Sequence, residues 1–313
     1  MMLARLLMVL AAMCGSLCNA AGAAETAAVK KKVVAFAQDT MANDWRAAQV
    51  RDLQKAFAGH PDIEFIFTDA NGDTARQVQD IEKLAAQGVA VLITSPRDAE
   101  LMREPIARVY RKGIPVILLS RRVNGDEFTQ FIAADNRAIG RVAAQHLAKE
   151  LHGKGRILML QGVPTASSAI DRTVGFNEAL KLHPGLKVVA VKPADYLRAQ
   201  AIQRIEEALA EKQEFDAIYS QSDSMAMGAI LALKKAGLDP KKIPITGIDY
   251  IGEAREAIRA GELNASFTYP TFGKEGAEAA IRLIRGGKPV SKEVMIESTP
   301  VTRANVEKLA PIF

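Results

Sequence analysis

Cysteine and aromatic residues are scarce in this chain of 313 residues, which has two cysteines, one tryptophan and 5% aromatic residues. Cys14 and Cys18 both lie near the N-terminus, and no cysteine follows them. The chain beyond residue 18 therefore has no thiol to form a disulfide, act as a nucleophile or bind a metal. A fold built from it must be stabilised by its hydrophobic core alone, which a chain of this length can supply.

Signatures of catalysis are missing as well. The sequence has no Gly-x-Ser-x-Gly, no phosphate-binding loop, no Gly-x-Gly-x-x-Gly after the first predicted strand and no His-Glu-x-x-His. Four histidines are far apart, at predicted helix ends and faces: His60, His146, His152 and His183. We therefore expect surface histidines, no catalytic residue, no metal site and no cofactor.

The composition is otherwise that of a folded globular protein, with 49% hydrophobic and 25% charged residues. It excludes a disordered or collagen-like chain, and the length predicts two domains. The formal net charge is +5. Because the basic residues are spread along the chain without forming a cluster, we expect no nucleic-acid partner.

Residues 1–24 have the features of a secretory signal peptide. Arg5 is the only charge, an apolar run covers 6–13, and small residues follow. The run is shorter than the roughly 20 residues that a membrane-spanning helix needs. Cleavage after residue 20, 23 or 24 fits the small residues, and we favour the later sites.

Short runs rich in valine and isoleucine alternate with amphipathic stretches from residue 32 onward. The runs are 33–37, 63–67, 89–93, 114–119, 131–133, 156–160, 188–191, 217–219, 243–246 and 265–267. Near-continuous apolar strands separated by helices predict parallel sheets covered on both faces. The number of strands exceeds one comfortable open sheet, so we predict an α/β protein with two doubly wound lobes. No low-complexity linker separates them, which favours several close chain crossings that form a hinge.

Helix boundaries are also recognisable. One helix is predicted over 139–151 and is closed by Gly153. Another is predicted over 226–235, with Ser222 or Asp223 as its N-terminal cap.

The predicted strands are followed by a recurring set of polar and aromatic side chains. Ligands of open parallel sheets bind beyond the carboxyl ends of the strands, and arginine, carboxylate, hydroxyl and large aromatic groups recur at these positions. Aromatic faces cover the C–H face of a sugar ring, carboxylates accept hydrogen bonds from hydroxyls, and arginine donates in a planar fork. The set is typical of a site for a hydroxyl-rich small molecule that is enclosed between two lobes.

Each of these side chains also has a purely structural interpretation. Trp45 can be a core aromatic at the start of a helix, and Arg172 can belong to an exposed first helical turn. Asp249 and Ser222 can be helix caps. Tyr196 can be an ordinary loop residue. The pattern as a whole favours a site more strongly than any one member does.

The chain resembles the periplasmic sugar-binding proteins of ABC importers, of the ribose-, galactose- and galactofuranose-binding type. The resemblance is strongest from Leu160 to Phe176 and from Ser222 to Ala229, with support from Ile132 to Asn136 and Gly247 to Asp249. It covers essentially the whole chain after the predicted signal peptide. It implies two Rossmann-like lobes joined by three crossings, the type I periplasmic binding protein fold, and a periplasmic location.

The resemblance also implies lobe boundaries and site residues. The N-terminal lobe is expected to contain 31–133 with 270–297, and the C-terminal lobe 134–269 with 298–313. The crossings are expected near Asp135, Tyr269 and Ser298. Together with Ser120 at a strand end, the family's ligand contacts fall on Asn43, Trp45, Arg46, Arg121, Arg172, Tyr196, Ser222, Asp249 and Thr268.

The sequence departs from the family pattern at two of these positions. The family usually has Asp-Arg where this chain has Ser120-Arg121, and Asn-Asp where it has Ser222-Asp223. A carboxylate and an amide are thus replaced by hydroxyls while the arginines remain. This predicts a more cationic site. The alternative ligand class is an acidic sugar derivative or a polyol phosphate, and a sugar held in an altered pose is the other interpretation of the same departure.

The sequence therefore predicts a binding protein that captures a monosaccharide or related polyhydroxylated solute and delivers it to an ABC permease in the inner membrane. We expect a monomer, and the resemblance also admits a chemotaxis receptor as a partner. A sugar-responsive repressor would need an N-terminal helix-turn-helix, and a receptor ectodomain would need a spanning helix. A sugar-processing enzyme on the same fold is the other alternative. Asp171, Arg172 and Asp249 are available for proton transfer, but nothing in the sequence supplies a nucleophile or a cofactor.

Overall fold

Two six-stranded sheets organise residues 31–313, the part of the chain that the computed structural model describes. The predicted signal peptide over 1–24 lies outside the described residues. The strands are β1 Lys32–Gln38, β2 Ile63–Asp69, β3 Val91–Thr94, β4 Val116–Leu119, β5 Gln130–Ala133, β6 Gly155–Gln161, β7 Leu186–Pro193, β8 Ala217–Ser220, β9 Ile245–Thr246, β10 Ala265–Phe267, β11 Glu293–Met295 and β12 Pro300–Thr302. The helices are α1 Asp44–Phe57, α2 Thr74–Ala86, α3 Arg103–Arg111, α4 Asn136–Glu150, α5 Ser167–Leu180, α6 Arg198–Ala210, α7 Asp223–Lys235, α8 Gly252–Ala260 and α9 Gly273–Ile284.

The two sheets have the same strand order. The first lobe's sheet runs β11-β5-β4-β3-β1-β2, and the second lobe's sheet runs β12-β10-β9-β8-β6-β7. All pairs are parallel except β10 with β12. The prediction of two doubly wound α/β lobes is therefore confirmed, as are all ten predicted strands. Strands β11 and β12 were not predicted, because each has three residues and neither forms a wholly buried apolar run.

The apolar runs form strands because both of their faces are covered. Every residue of β3, β4 and β8 is buried. In β1, Phe36 contributes to the cluster on one face of the first sheet, whereas Ala35 and Ala37 contribute to the cluster on the other face. A strand with helices on both sides needs apolar side chains at every position, which explains why these segments lack the alternation of a half-exposed strand.

The chain passes between the two sheets three times. It leaves the first sheet after β5, returns to it at β11, and leaves it again for β12. These passages include the predicted crossings near Asp135, Tyr269 and Ser298. The exact lobe boundaries stay a prediction.

Helix α4 begins earlier than the sequence predicted. It starts at Asn136, and the side chain of Asp135 caps it by accepting from the backbone N–H of Ala138 at 2.8 Å. The apolar periodicity begins only at Ile139, because the first turn is polar, so the prediction over 139–151 missed that turn. No helix within residues 31–313 combines the length and hydrophobicity needed to cross a membrane.

Candidate functional site

A cavity lies between the lobes, beyond the carboxyl ends of both sheets. It is lined by Asp39, Thr40, Asn43, Trp45, Arg46, Ser120, Arg121, Ser168, Arg172, Asp195, Tyr196, Ser222, Asp249 and Tyr269. Nine of the ten predicted site residues are in this set. Thr268 is not: its hydroxyl accepts from the backbone N–H of Thr299 at 2.8 Å, and Tyr269 lines the cavity beside it. Successive side chains of extended backbone point to opposite faces, so one of two neighbouring residues can face the cavity while the other points away from it.

The start of α1 supplies the first group of lining residues. Asn43 is the N-cap: its side-chain oxygen accepts from Arg46 N at 3.0 Å. The amide nitrogen of the same side chain donates across the cleft to the carbonyl of Tyr196 at 2.7 Å. Trp45 is 4% exposed, and its indole N–H donates to the carbonyl of Tyr269 at 2.9 Å. Trp45 therefore belongs both to the core and to the cavity wall.

Two arginines of the first lobe converge on one buried carboxylate, Asp39. Arg121 Nη1 donates to Asp39 Oδ2 at 2.7 Å, and Arg46 Nε lies 3.4 Å from Asp39 Oδ1. Arg46 also donates to the hydroxyl of Ser95 at 2.7 Å and lies 3.4 Å from that of Ser120. Hydrogen-bonded neighbours thus fix both guanidinium planes at the cavity wall.

Burial and neighbouring charges set the pKa values of Asp39 and Arg46. Burial tends to raise the pKa of Asp39, but the charges of Arg121 and Arg46 outweigh it and lower that pKa. The pKa of Arg46 is lowered to about 10 by burial and by the neighbouring Arg121. Both groups are therefore charged at neutral pH, so the first lobe presents two cations and one anion here.

Helix packing positions Arg172 in the second lobe. The helices α4 and α5 touch at glycines: a Cβ on Gly175 would lie 1.9 Å from the carbonyl oxygen of Arg137. This close approach brings Asn136 to Arg172, whose Nε donates to the Asn136 side-chain oxygen at 2.8 Å. Arg172 is 3% exposed and lies 4.6 Å from the ring centroid of Tyr269. The alternative of an exposed first helical turn is therefore wrong.

The loop after β7 places Tyr196 on the cavity. Asp195 and Tyr196 both have left-handed backbone, with φ of 51° and 64°. Such a pair of non-glycine residues is uncommon and is typical of functional loops. The Tyr196 hydroxyl is 2.9 Å from that of Ser168, and its ring lies 5.3 Å from the guanidinium carbon of Arg121. The ring packs directly against Gly162, where a Cβ would lie 2.0 Å from it.

Ser222 and Asp249 occupy the other strand ends of the second lobe. Ser222 is the N-cap of α7, one of its two predicted roles, and it also lines the cavity. Asp249 is not a cap, because the N-cap position of α8 belongs to Ile251. Burial and the nearby Asp223 raise the pKa of Asp249 well above its usual value. Burial likewise raises the pKa of Asp223 to about 7.

Several contacts join the lobes around the cavity. Arg97 Nη2 donates to Asp195 Oδ2 at 3.1 Å, and the backbone N–H of Ala99 donates to the carbonyl of Thr165 at 3.0 Å. Arg122 N donates to the hydroxyl of Ser167 at 2.8 Å. The lobes are therefore closed on each other in this structure.

Five lining residues are not among the ten predicted site residues: Asp39, Thr40, Ser168, Asp195 and Tyr269. Four of them follow a strand closely, so position at a strand end was an available signal. The most consequential omission is Asp39, the first residue after β1. The prediction of a more cationic site, which led to the acidic-ligand alternative, did not include this carboxylate. The excess of positive charge at the cavity is therefore smaller than the sequence suggested.

The histidines lie apart from the cavity, and none of the four is buried. No group of three or more His, Cys, Asp or Glu side chains suited to a metal ion occurs within residues 31–313. The cavity itself offers hydrogen-bond donors, acceptors and aromatic faces to a small polar molecule.

Comparison with known proteins defines the class. The sequence from 33 to 288 matches the family described as the periplasmic binding protein domain, and the chain belongs to that family. Membership agrees with the predicted fold and with the prediction of a binding protein rather than an enzyme.

Individual relatives align over most of their length. The chain is 30% identical to the ribose import binding protein RbsB of Haemophilus influenzae, with 86% of this chain and 91% of the relative covered. It is 30% identical to the galactofuranose-binding protein YtfQ of Escherichia coli, with coverage of 85% and 86%. Among solved structures, a Bacillus halodurans ABC transporter solute-binding protein with bound myo-inositol is 28% identical, with a TM-score of 0.84 and coverage of 90% and 98%.

Proposed function

We propose that this protein is the solute-binding component of an ABC importer for a monosaccharide or related polyol. It captures the solute in the cavity between its lobes and delivers it to a permease in the inner membrane. The observation that carries the proposal is the composition of this cavity. Arginines, carboxylates and large aromatic rings from six separate strand ends face one cavity.

The side chains in the cavity suit a hydroxylated ring. Trp45, Tyr196 and Tyr269 supply aromatic surface, against which the C–H face of a sugar can pack. Asp249 supplies acceptors for hydroxyls, and Arg172 supplies donors held by Asn136. Closure of the lobes removes water from these groups and strengthens each polar contact.

The relatives support the same solute class. Their names specify ribose, galactofuranose and xylitol, and a structural neighbour holds myo-inositol. These molecules share adjacent hydroxyl groups on a short carbon skeleton. A solute-binding component of such an importer is located in the periplasm. A receptor partner is a further prediction, supported by a neighbour described as the fructose-binding periplasmic domain of a hybrid two-component system.

We also propose that the lobes open and close about the three crossings, with boundaries at 31–133 plus 270–297 and 134–269 plus 298–313. Solute contacts from both lobes favour the closed state. The closed shape would then be the form that the permease recognises.

The fluorescence of Trp45 tests the proposal, because it is the only tryptophan and lines the cavity. Purified protein is titrated with a panel of pentoses, hexoses, sugar acids and polyols. We expect a saturable change with at least one sugar or polyol. Arg172→Met should weaken that binding at least about tenfold, since it removes buried charge-assisted donors.

Arg108→Met is the matched control, because Arg108 pairs with Glu82 on the exposed surface of the first lobe. It should bind like the wild type. Flat fluorescence together with no thermal shift across the whole panel would refute the proposed function.

A further inference from the structure

Asp39 lines the cavity in an unusual environment for a carboxylate, and the proposed function gives it no role in solute binding. It is fully buried, directly follows β1 and lines the cavity. Three guanidinium groups surround it: Arg121 at 2.7 Å, Arg46 at 3.4 Å and Arg97 at 3.9 Å. It is the shared counter-ion of the first lobe's arginines.

The hydrogen bonds of this group are incomplete. Asp39 Oδ1 has no hydrogen-bond partner, and neither has Nε of Arg121. These are the two buried side-chain atoms without a partner among the described residues that line the cavity. Buried polar atoms are rarely left unpaired, because each one loses its bonds to water without compensation. An unpaired acceptor and an unpaired donor on neighbouring side chains match a hydroxyl, or two adjacent hydroxyls, of a bound molecule.

A negatively charged solute meets a different environment here. Its carboxylate or phosphate would approach the ionised Asp39, and the guanidinium of Arg121 is already engaged by Asp39. Like charges at close range in a buried site repel each other strongly. The same carboxylate that accepts hydroxyl groups therefore opposes an anion.

We propose that Asp39 is a specificity-determining residue of this site, an inference that rests on the proposed function. It accepts hydrogen bonds from solute hydroxyls, and its negative charge selects uncharged solutes over sugar acids and sugar phosphates. This role falls on a residue outside the ten that sequence analysis selected.

Asp39→Asn tests the proposal, since the amide keeps the shape and removes the charge. The probes are D-ribose, D-galactose and D-glucose, each compared with its sugar acid (D-ribonate, D-galacturonate and D-glucuronate), in Trp45 fluorescence and calorimetric titrations. For the uncharged probe that the wild type binds, we expect the variant to bind about tenfold more weakly or worse. We expect the preference for that probe over its acid to fall by at least about tenfold.

A second variant covers the case in which Asp39→Asn disturbs folding. The hydroxyl of Ser120 lies 3.4 Å from Nη1 of Arg46, the guanidinium that Asp39 also faces. The double variant Asp39→Ser with Ser120→Asp therefore returns a carboxylate to the same arginine. It should recover most of the preference for the uncharged probe.

Asp73→Asn is the matched control. It makes the same change of charge in the same lobe at the N-cap of α2, where asparagine caps as well as aspartate does. It should leave affinity and preference unchanged.

The outcomes separate this inference from the proposed function. If the wild type binds an uncharged probe and Asp39→Asn keeps both the affinity and the preference, the role of Asp39 is refuted while the proposed function stands. Equal wild-type affinity for a sugar and its acid also refutes it. If the wild type binds no member of the wider sugar and polyol panel, the proposed function fails and this inference fails with it.

Discussion

Arg97 spans the mouth of the cleft, and its removal should weaken solute binding although it does not line the cavity. It extends from the loop after β3 in the first lobe and donates to Asp195 of the second lobe at 3.1 Å. The two side chains are 17% and 28% exposed, so solvent screens the pair only in part. In the open state that we propose, the separated lobes would lose this contact.

The expected magnitude follows from this geometry. A partly shielded ion pair of this kind contributes about 1 kcal/mol. Because the contact belongs to the closed state alone, its whole contribution enters the free energy of solute binding. Arg97→Ala should therefore raise the Kd of a bound sugar about fivefold, with little change in the unfolding free energy of the unliganded protein.

A double-mutant cycle isolates the pair, because Asp195 also lines the cavity and contacts other groups. Arg97→Ala, Asp195→Asn and the double variant are titrated with one sugar by Trp45 fluorescence. We expect a coupling of about 1 kcal/mol between the two changes. Arg108→Ala, which breaks an ion pair within the first lobe, should have no effect. Strictly additive effects of the two substitutions would show that the pair does not hold the lobes closed.

Three further predictions concern packing and protonation. Gly162→Ala should displace the Tyr196 ring, which lies 2.0 Å from the new Cβ, and weaken sugar binding about tenfold in fluorescence titrations; unchanged affinity would contradict this. Gly175→Ala should lower the unfolding free energy in urea by about 1–3 kcal/mol, since its Cβ meets the backbone of Arg137; wild-type stability would contradict the close packing. Burial raises the pKa of Asp223 to about 7, so the folded state holds this proton more tightly than the unfolded chain. The stability that this proton contributes is full below about pH 4 and is lost as the pH rises towards 7. Asp223→Asn should make that decline smaller in urea denaturation across this range.

The predicted fold was confirmed for those elements that a short stretch of sequence is enough to specify. The apolar runs that became β3, β4 and β8 have no polar alternation, because each strand is covered on both faces. The cap of α7 was equally legible, since Ser222 precedes the first turn and accepts from its backbone. Short strands such as β11 carry no such pattern, because a neighbouring strand positions them.

The sequence was sufficient to predict which positions in the chain lie near the candidate site. It was less sufficient to predict which side chains face the cavity and what they contact. Strand ends in a parallel sheet converge whatever the side chains are, so Asn43, Arg121 and Arg172 could be selected from their places in the chain. Tyr269 lines the cavity and Thr268 does not, because the direction of a side chain depends on the local register of the backbone.

The sequence alone determined the alternation of strands and helices, and with it two parallel sheets whose polar ends hold the candidate site. Tertiary structure decided which charges meet. Asp39 faces Arg121, 82 positions away, and Arg97 reaches Asp195 across the cleft. Hydrogen bonds and ion pairs act over about 3 Å, and such distances between remote residues are fixed only when helices, sheets and lobes pack together.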